Sequence, residues 1–152
     1  MKQDRNLQLK ELTDDLGLIL QDRKENAIAF TTDAEKYKLL PFLQELALTQ
    51  KDKKIAIATY APVSLQNGIE NIVLRADDTD IEQVKVKFSM FDMVLVELPN
   101  AIKKHNYLLL SKFVKLAVIV AKEFDSKDSN VVRVKQNLQE QGMDVLGIVY
   151  QK

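Results

Sequence analysis

Three short segments of this 152-residue chain hold residues able to do chemistry: 31–36, 59–64 and 97–103. Each follows a brief apolar run, so each reads as the turn that leaves a buried strand. A strand-to-helix turn aims backbone N–H groups at an anion. A working phosphate loop adds glycines for close backbone approach, then Lys and Ser/Thr for phosphates and magnesium. The first segment, TTDAEKYK (31–38), offers Thr32, Lys36 and Lys38 but no glycine, and Asp33 and Glu35 oppose a triphosphate. Its plainer reading is a helix start with solvated lysines. The second segment presents Thr59 and Tyr60 without an acid to hold a metal. The third presents Glu97, a carboxylate that can orient a metal-bound water. The competing reading of Glu97 is a strand-end acid paired with a lysine or capping a helix.

Other constellations carry less. His105 has no nucleophile or acid at a recognisable spacing, and Lys103-Lys104-His105 reads as a solvated basic run. The acidic run at 76–80 lacks the glycine and distal Glu of a calcium loop, so it reads as a polar turn with a helix cap. Tyr37, Tyr60, Tyr107 and Tyr150 are scattered, two of them on core faces.

Alternating strands and helices must position these turns. Leu9, Leu12, Leu16 and Ile19 recur at helical spacing over residues 3–20, with Gly17 as a weak point. NAIAFTT (26–32) is a strand, and Asp33 is expected to cap a helix running to about residue 50 that Pro41 kinks or limits. Strands follow at 55–59 and 71–74, separated by a loop over 61–68. Thr79 and Glu82 form a capping box that favours helix over strand for 79–89. Residues 93–98 form a buried strand, 101–113 a helix and 116–121 another buried strand. Ser126 or Asp128 caps a helix that Gly142 ends, and the last strand spans 145–150. Continuous Val/Ile/Leu strands between helices specify a doubly wound, three-layer α/β/α domain with a mostly parallel sheet of five or six strands. An extra N-terminal helix and linker (1–24) precede the α/β core (25–152).

Composition narrows the function classes. With 22 basic and 22 acidic residues the net charge is zero, which argues against a general nucleic-acid binder. The chain has no cysteine and one histidine, so thiolate and His-rich metal sites are excluded. No run reaches the roughly 18 apolar residues of a membrane helix, and MKQDRNLQLKEL is not a signal peptide. A cytosolic piece cut from a larger membrane protein reads the same way.

FDMVLVELPN (91–100) resembles the second acidic motif of bacterial tyrosine kinases of the polysaccharide co-polymerase system, a motif that the partition-type ATPases share. KLAVIVAKE (115–123) and the helix–strand layout of 126–152 continue that resemblance. Residues 5–62 share it in outline only. The resemblance implies a P-loop-NTPase-like fold, and it implies which positions are vestiges of a nucleotide site. Thr32, Asp33 and Lys36 stand where the glycine-rich loop is missing. Thr59 and Tyr60 replace an Asp-x-Asp. Glu97 replaces an Asp, and Gln151 replaces an Asn that contacts the base. In the kinases an N-terminal helix with a Glu and spaced arginines assists ring assembly; here Glu11 is present but Asp14 stands at an arginine position.

These departures point to a non-catalytic pseudo-kinase: a cytoplasmic interaction or oligomerisation domain at the inner face of the membrane. Its expected partners are further copies or a membrane protein of a polysaccharide-export system, with no cofactor, no nucleic acid and no inserted segment. The alternatives are an ATPase or kinase that binds ATP and magnesium through an atypical site, and a degenerate receiver domain with Glu97 mimicking a phosphorylated aspartate.

Overall fold

The computed structural model describes residues 2–34, 36–75, 81–98 and 110–152. Six strands form one parallel sheet: β1 Ala27–Thr32, β2 Ile55–Thr59, β3 Glu70–Val73, β4 Met93–Glu97, β5 Leu116–Lys122 and β6 Asp144–Gln151. Their order is β3-β2-β4-β1-β5-β6. All five adjacent pairs are parallel. The helices are α1 Lys2–Asp22, α2 Leu39–Leu48, α3 Ile81–Ser89 and α4 Asp128–Glu140, with a 3₁₀ turn at Leu110–Lys112. The expected three-layer parallel α/β architecture is therefore the observed one. A receiver domain pairs its first strand with its second in the order 2-1-3-4-5. Here β4 lies between β1 and β2, which removes the topological basis of the receiver reading.

Strand alternation divides the core in two. Ile28, Phe30, Ile57, Leu95 and Val118 face α1 and α2. Ala29, Ala58, Val96 and Ile119 face α3 and α4. Strands β1, β2 and β4 are buried along nearly their whole length, which explains why they read as unbroken apolar runs. Phe42 of α2 meets Phe30 of β1 edge-on at 6.5 Å between centroids, which seats α2 over the sheet centre. α1 continues straight through Gly17, where an added Cβ would come 3.2 Å from Lys53 Nζ and 3.6 Å from Met93 Cε. The ends of the Lys53 and Met93 side chains thus occupy the space beside this glycine.

Several local expectations need correction. α2 begins at Leu39, not just after Asp33, and Pro41 sits in its first turn. There a backbone N–H has no intrahelical partner to lose, so the proline starts the helix instead of kinking it. Asp33 does not cap α2, whose N-cap position is Lys38. α4 has Lys127, neither Ser126 nor Asp128, at its N-cap. Gly142 does end α4, in the left-handed region at φ +90°. The Thr79 cap, the acidic run at 76–80, Glu35, Pro99, Asn100, His105 with its lysines, Tyr107 and most of the helix expected at 101–113 lie outside the described residues.

Candidate functional site

The carboxyl ends of β1, β2, β4, β5 and β6 share one rim of the sheet, where doubly wound folds place their ligands. Register brings Glu97 beside Phe30 and Thr32 beside Val120. Lys122 lies beside Gln151.

At the centre stands Asp33. It is 2% exposed. It accepts one hydrogen bond from the Ser126 hydroxyl and another from the Lys127 backbone N–H at 3.0 Å. The Ser126 hydroxyl also accepts the Lys122 N–H at 2.8 Å, and the Ser126 N–H donates to the Lys122 carbonyl at 2.8 Å. Asp33 therefore accepts, from 94 residues away, the backbone N–H of Lys127, the residue at the N-cap position of α4. A negative charge there also complements the helix dipole. Beside it the Thr32 hydroxyl accepts the Ala34 N–H at 3.1 Å. A turn with Tyr37 N–H on the Ala34 carbonyl then leads to α2. Lys36 lies exposed on this turn.

On β2 the Thr59 hydroxyl is committed to the loop. It donates to the Ala61 carbonyl at 2.6 Å and accepts from the Asn71 side-chain amide at 2.9 Å. The same amide donates to the Ile57 carbonyl, and Asn71 Oδ1 accepts the Val63 N–H. Tyr60 packs, half-buried, against the α3/α4 core. Thr59 and Tyr60 are thus parts of the β2–β3 crossover.

Glu97 is half-buried on the rim, and among the described residues it has no hydrogen-bond or ion-pair partner. Burial pushes its pKa above the ordinary carboxylate range. Among the described residues no group of three His, Cys, Asp or Glu converges as metal ligands would.

The outer rim is tied by side chains that sequence reasoning did not single out. Arg5 of α1 makes a bidentate pair with Glu45 of α2 at 3.0 and 3.1 Å and donates to Gln151 Oε1 at 3.2 Å. The Glu45 contact holds the Arg5 guanidinium above its usual pKa. The ammonium of Lys122 donates to the Lys152 carbonyl and lies 5.9 Å from the centroid of the Tyr37 ring. Asp14 accepts from Gln50 at 2.8 Å and from Lys10 at 3.1 Å, contacts that together hold its pKa low. No local signal announced these pairs, whose members stand 30 to 146 residues apart, Lys10–Asp14 excepted.

The structure thus gathers Thr32, Asp33, Glu97 and Gln151 along one rim, leaves Lys36 in solvent, and assigns Thr59 and Tyr60 to a crossover. No family model and no curated protein sequence matches the chain. Solved structures do. The BceF tyrosine kinase domain superposes with a TM-score of 0.76 at 13% identity, over 93% of this chain and 75% of that one. The kinase domain of the Escherichia coli tyrosine kinase ETK gives 0.75 at 14%, over 94% and 73%. The VpsO kinase domain gives 0.70 at 12%, over 99% and 97%. At such identities the likeness is one of fold, and the fold of this chain is that of the bacterial tyrosine kinase domains.

Proposed function

We propose that this domain is a non-catalytic relative of those kinases: a pseudo-kinase that works as an interaction or oligomerisation platform. Its setting in this reading is the cytoplasmic face of the membrane, within a system that builds and exports surface polysaccharide. The setting follows from the resemblance carried by residues 91–151, and the partners are further copies or a membrane component of that system. No helix among the described residues is long and apolar enough to cross a membrane.

One observation carries the reading: the buried Asp33 at the start of the phosphate-loop position, fastened to α4. Phosphoryl transfer depends almost wholly on positioning and charge neutralisation. Here the loop that should cradle phosphates opens with an inward-held negative charge and contains no glycine. The Thr59 hydroxyl, where a metal-binding acid would stand, serves a crossover loop. Glu97 sits in surroundings that favour its neutral form.

Calorimetric titration with ATP and ADP in the presence of magnesium tests this. The expected result is no heat up to millimolar ligand and no change in the mass in solution. Micromolar binding abolished by Lys36→Ala would replace the proposal with the alternative, an atypical nucleotide site built from Lys36, Thr32 and Glu97.

A further inference from the structure

The two edges of the sheet are protected to different degrees. A strand edge is a row of unpaired N–H and C=O groups, and proteins guard it with shortness, charge, proline or bulges. β3 is four residues long and includes Glu70, with Arg75 just beyond it. β6 runs for eight residues, DVLGIVYQ, with one charge at its very start and no proline. Its single irregularity, opposite Ala117 and Val118, leaves Gly147 to Gln151 in unbroken register with β5. The Gln151 carbonyl accepts the Glu123 N–H at 2.7 Å. Alternation therefore turns the backbone groups of Gly147, Val149 and Gln151 toward β5 and those of Ile148 and Tyr150 outward.

The side chains reinforce this. Val149 packs on the α1/α2 side, so Ile148 and Tyr150 project from the opposite face, where Tyr150 is 71% exposed. Phe124, 96% exposed, stands in the turn that follows β5 at the same end. The outward backbone groups, of which the Tyr150 carbonyl is reached by the exposed Gln151 side-chain amide at 3.3 Å, coincide with exposed apolar groups along one edge, a combination that marks an interaction surface.

We propose that this edge pairs with a second copy of the chain, β6 against β6, antiparallel about a two-fold axis at Val149. This rests on the reading of the domain as a self-associating platform and names its surface. Self-complementarity selects a second copy as the occupant. In this register Ile148 of each copy faces Tyr150 of the other. Both of these pairs exchange two backbone hydrogen bonds and join an aromatic to a β-branched side chain, a stabilising cross-strand combination. Gly147 falls opposite Gln151 of the second copy, and a Cβ at Gly147 would meet nothing within 4 Å, so the backbone is open to approach there. Charge agrees with the antiparallel sense. It brings the Asp144 end of one strand toward the Lys152 end of the other, whereas parallel pairing would set like on like. Arg23 engages only one oxygen of Asp144, at 2.5 Å. A two-fold contact of this kind closes on itself, giving dimers and not fibres.

The cysteine-free sequence provides a direct test. Val149→Cys puts one thiol on the axis, at a non-hydrogen-bonded position where facing Cα atoms lie about 4.5 Å apart, within disulfide reach. Under mild oxidation Val149→Cys is expected to cross-link into dimers, and Val73→Cys on the other edge is not. The unmodified chain should show twice the chain mass by light scattering. The double substitution Ile148→Lys with Tyr150→Lys should return it to the single-chain mass with an unchanged circular-dichroism spectrum. A single-chain mass for the unmodified protein, or equal cross-linking at positions 149 and 73, overturns the pairing. Self-association that survives the double substitution overturns this edge but leaves the platform reading standing. Nucleotide binding in the titration above would remove that reading whatever the mass.

Discussion

Asp33 lies just past the end of β1, and Glu97 ends the adjacent β4. Both are carboxylates on the rim where doubly wound folds place their ligands, and both interrupt otherwise apolar surroundings. Asp33 is the more deeply buried, yet it receives a hydroxyl, a backbone N–H and the positive end of a helix. Glu97 keeps more contact with water but gains no compensating donor among the described residues, and its surroundings disfavour the charged form. Both are thus acids at or next to the carboxyl end of a central strand. What separates them is whether a distant segment of the chain arrives with donors. A buried charge with partners is a structural part, whereas a half-buried one without them remains a group whose ionisation the fold resists.

Removing the better-served acid should give the largest effect. Asp33→Ala leaves the Ser126 hydroxyl and the Lys127 N–H without this acceptor. Loss of hydrogen bonds to a charged group predicts a cost of about 2–3 kcal/mol, read as a lower urea midpoint with an unchanged slope. Ser126→Ala takes one donor from Asp33 and the acceptor from the Lys122 N–H, and about 1–1.5 kcal/mol is expected. If Asp33→Ala proved neutral, the distinction between the two acids would collapse and the latch would have no structural weight.

Sequence reasoning located this rim but not its wiring. The bounds of β2 agree with the reading of 55–59, and β1, β4 and β5 differ by a residue, because a strand buried on both faces shows itself as a continuous Val/Ile/Leu run. Helix starts were less legible. Asp33 has a side chain suited to an N-cap, but its carboxylate binds the residues that lead into α4 and not the helix that follows it in sequence. Local spacing cannot reveal such a pairing, since the acid and its donor stand 94 residues apart. The same holds for Arg5 and Gln151, 146 residues apart. Thr59 was legible as a strand-end hydroxyl, but its commitment to Asn71 depends on the β2–β3 crossover folding back. Candidate residues could be named from their types; their roles required the partners that only the tertiary fold supplies.

The smallest expected effect belongs to Glu97, and its sign differs from that of a paired acid. Desolvation disfavours the ionised form in the folded state, so the folded pKa lies above the unfolded one. At low pH, with the group protonated in both states, burial of the charge costs nothing. As pH rises from the unfolded pKa through the folded one, the unfolded chain releases its proton first and stability falls by the full penalty, which then stays constant. Glu97→Gln removes the titration. The stability of the unmodified protein relative to this variant should therefore decline with rising pH across and just above the carboxylate range. Solvent contact limits the difference to about 0.5 kcal/mol, measurable as a pH-dependent separation of the two urea midpoints. A separation that grows in the opposite direction would mean that Glu97 is stabilised as an anion, and the two rim acids would then be alike.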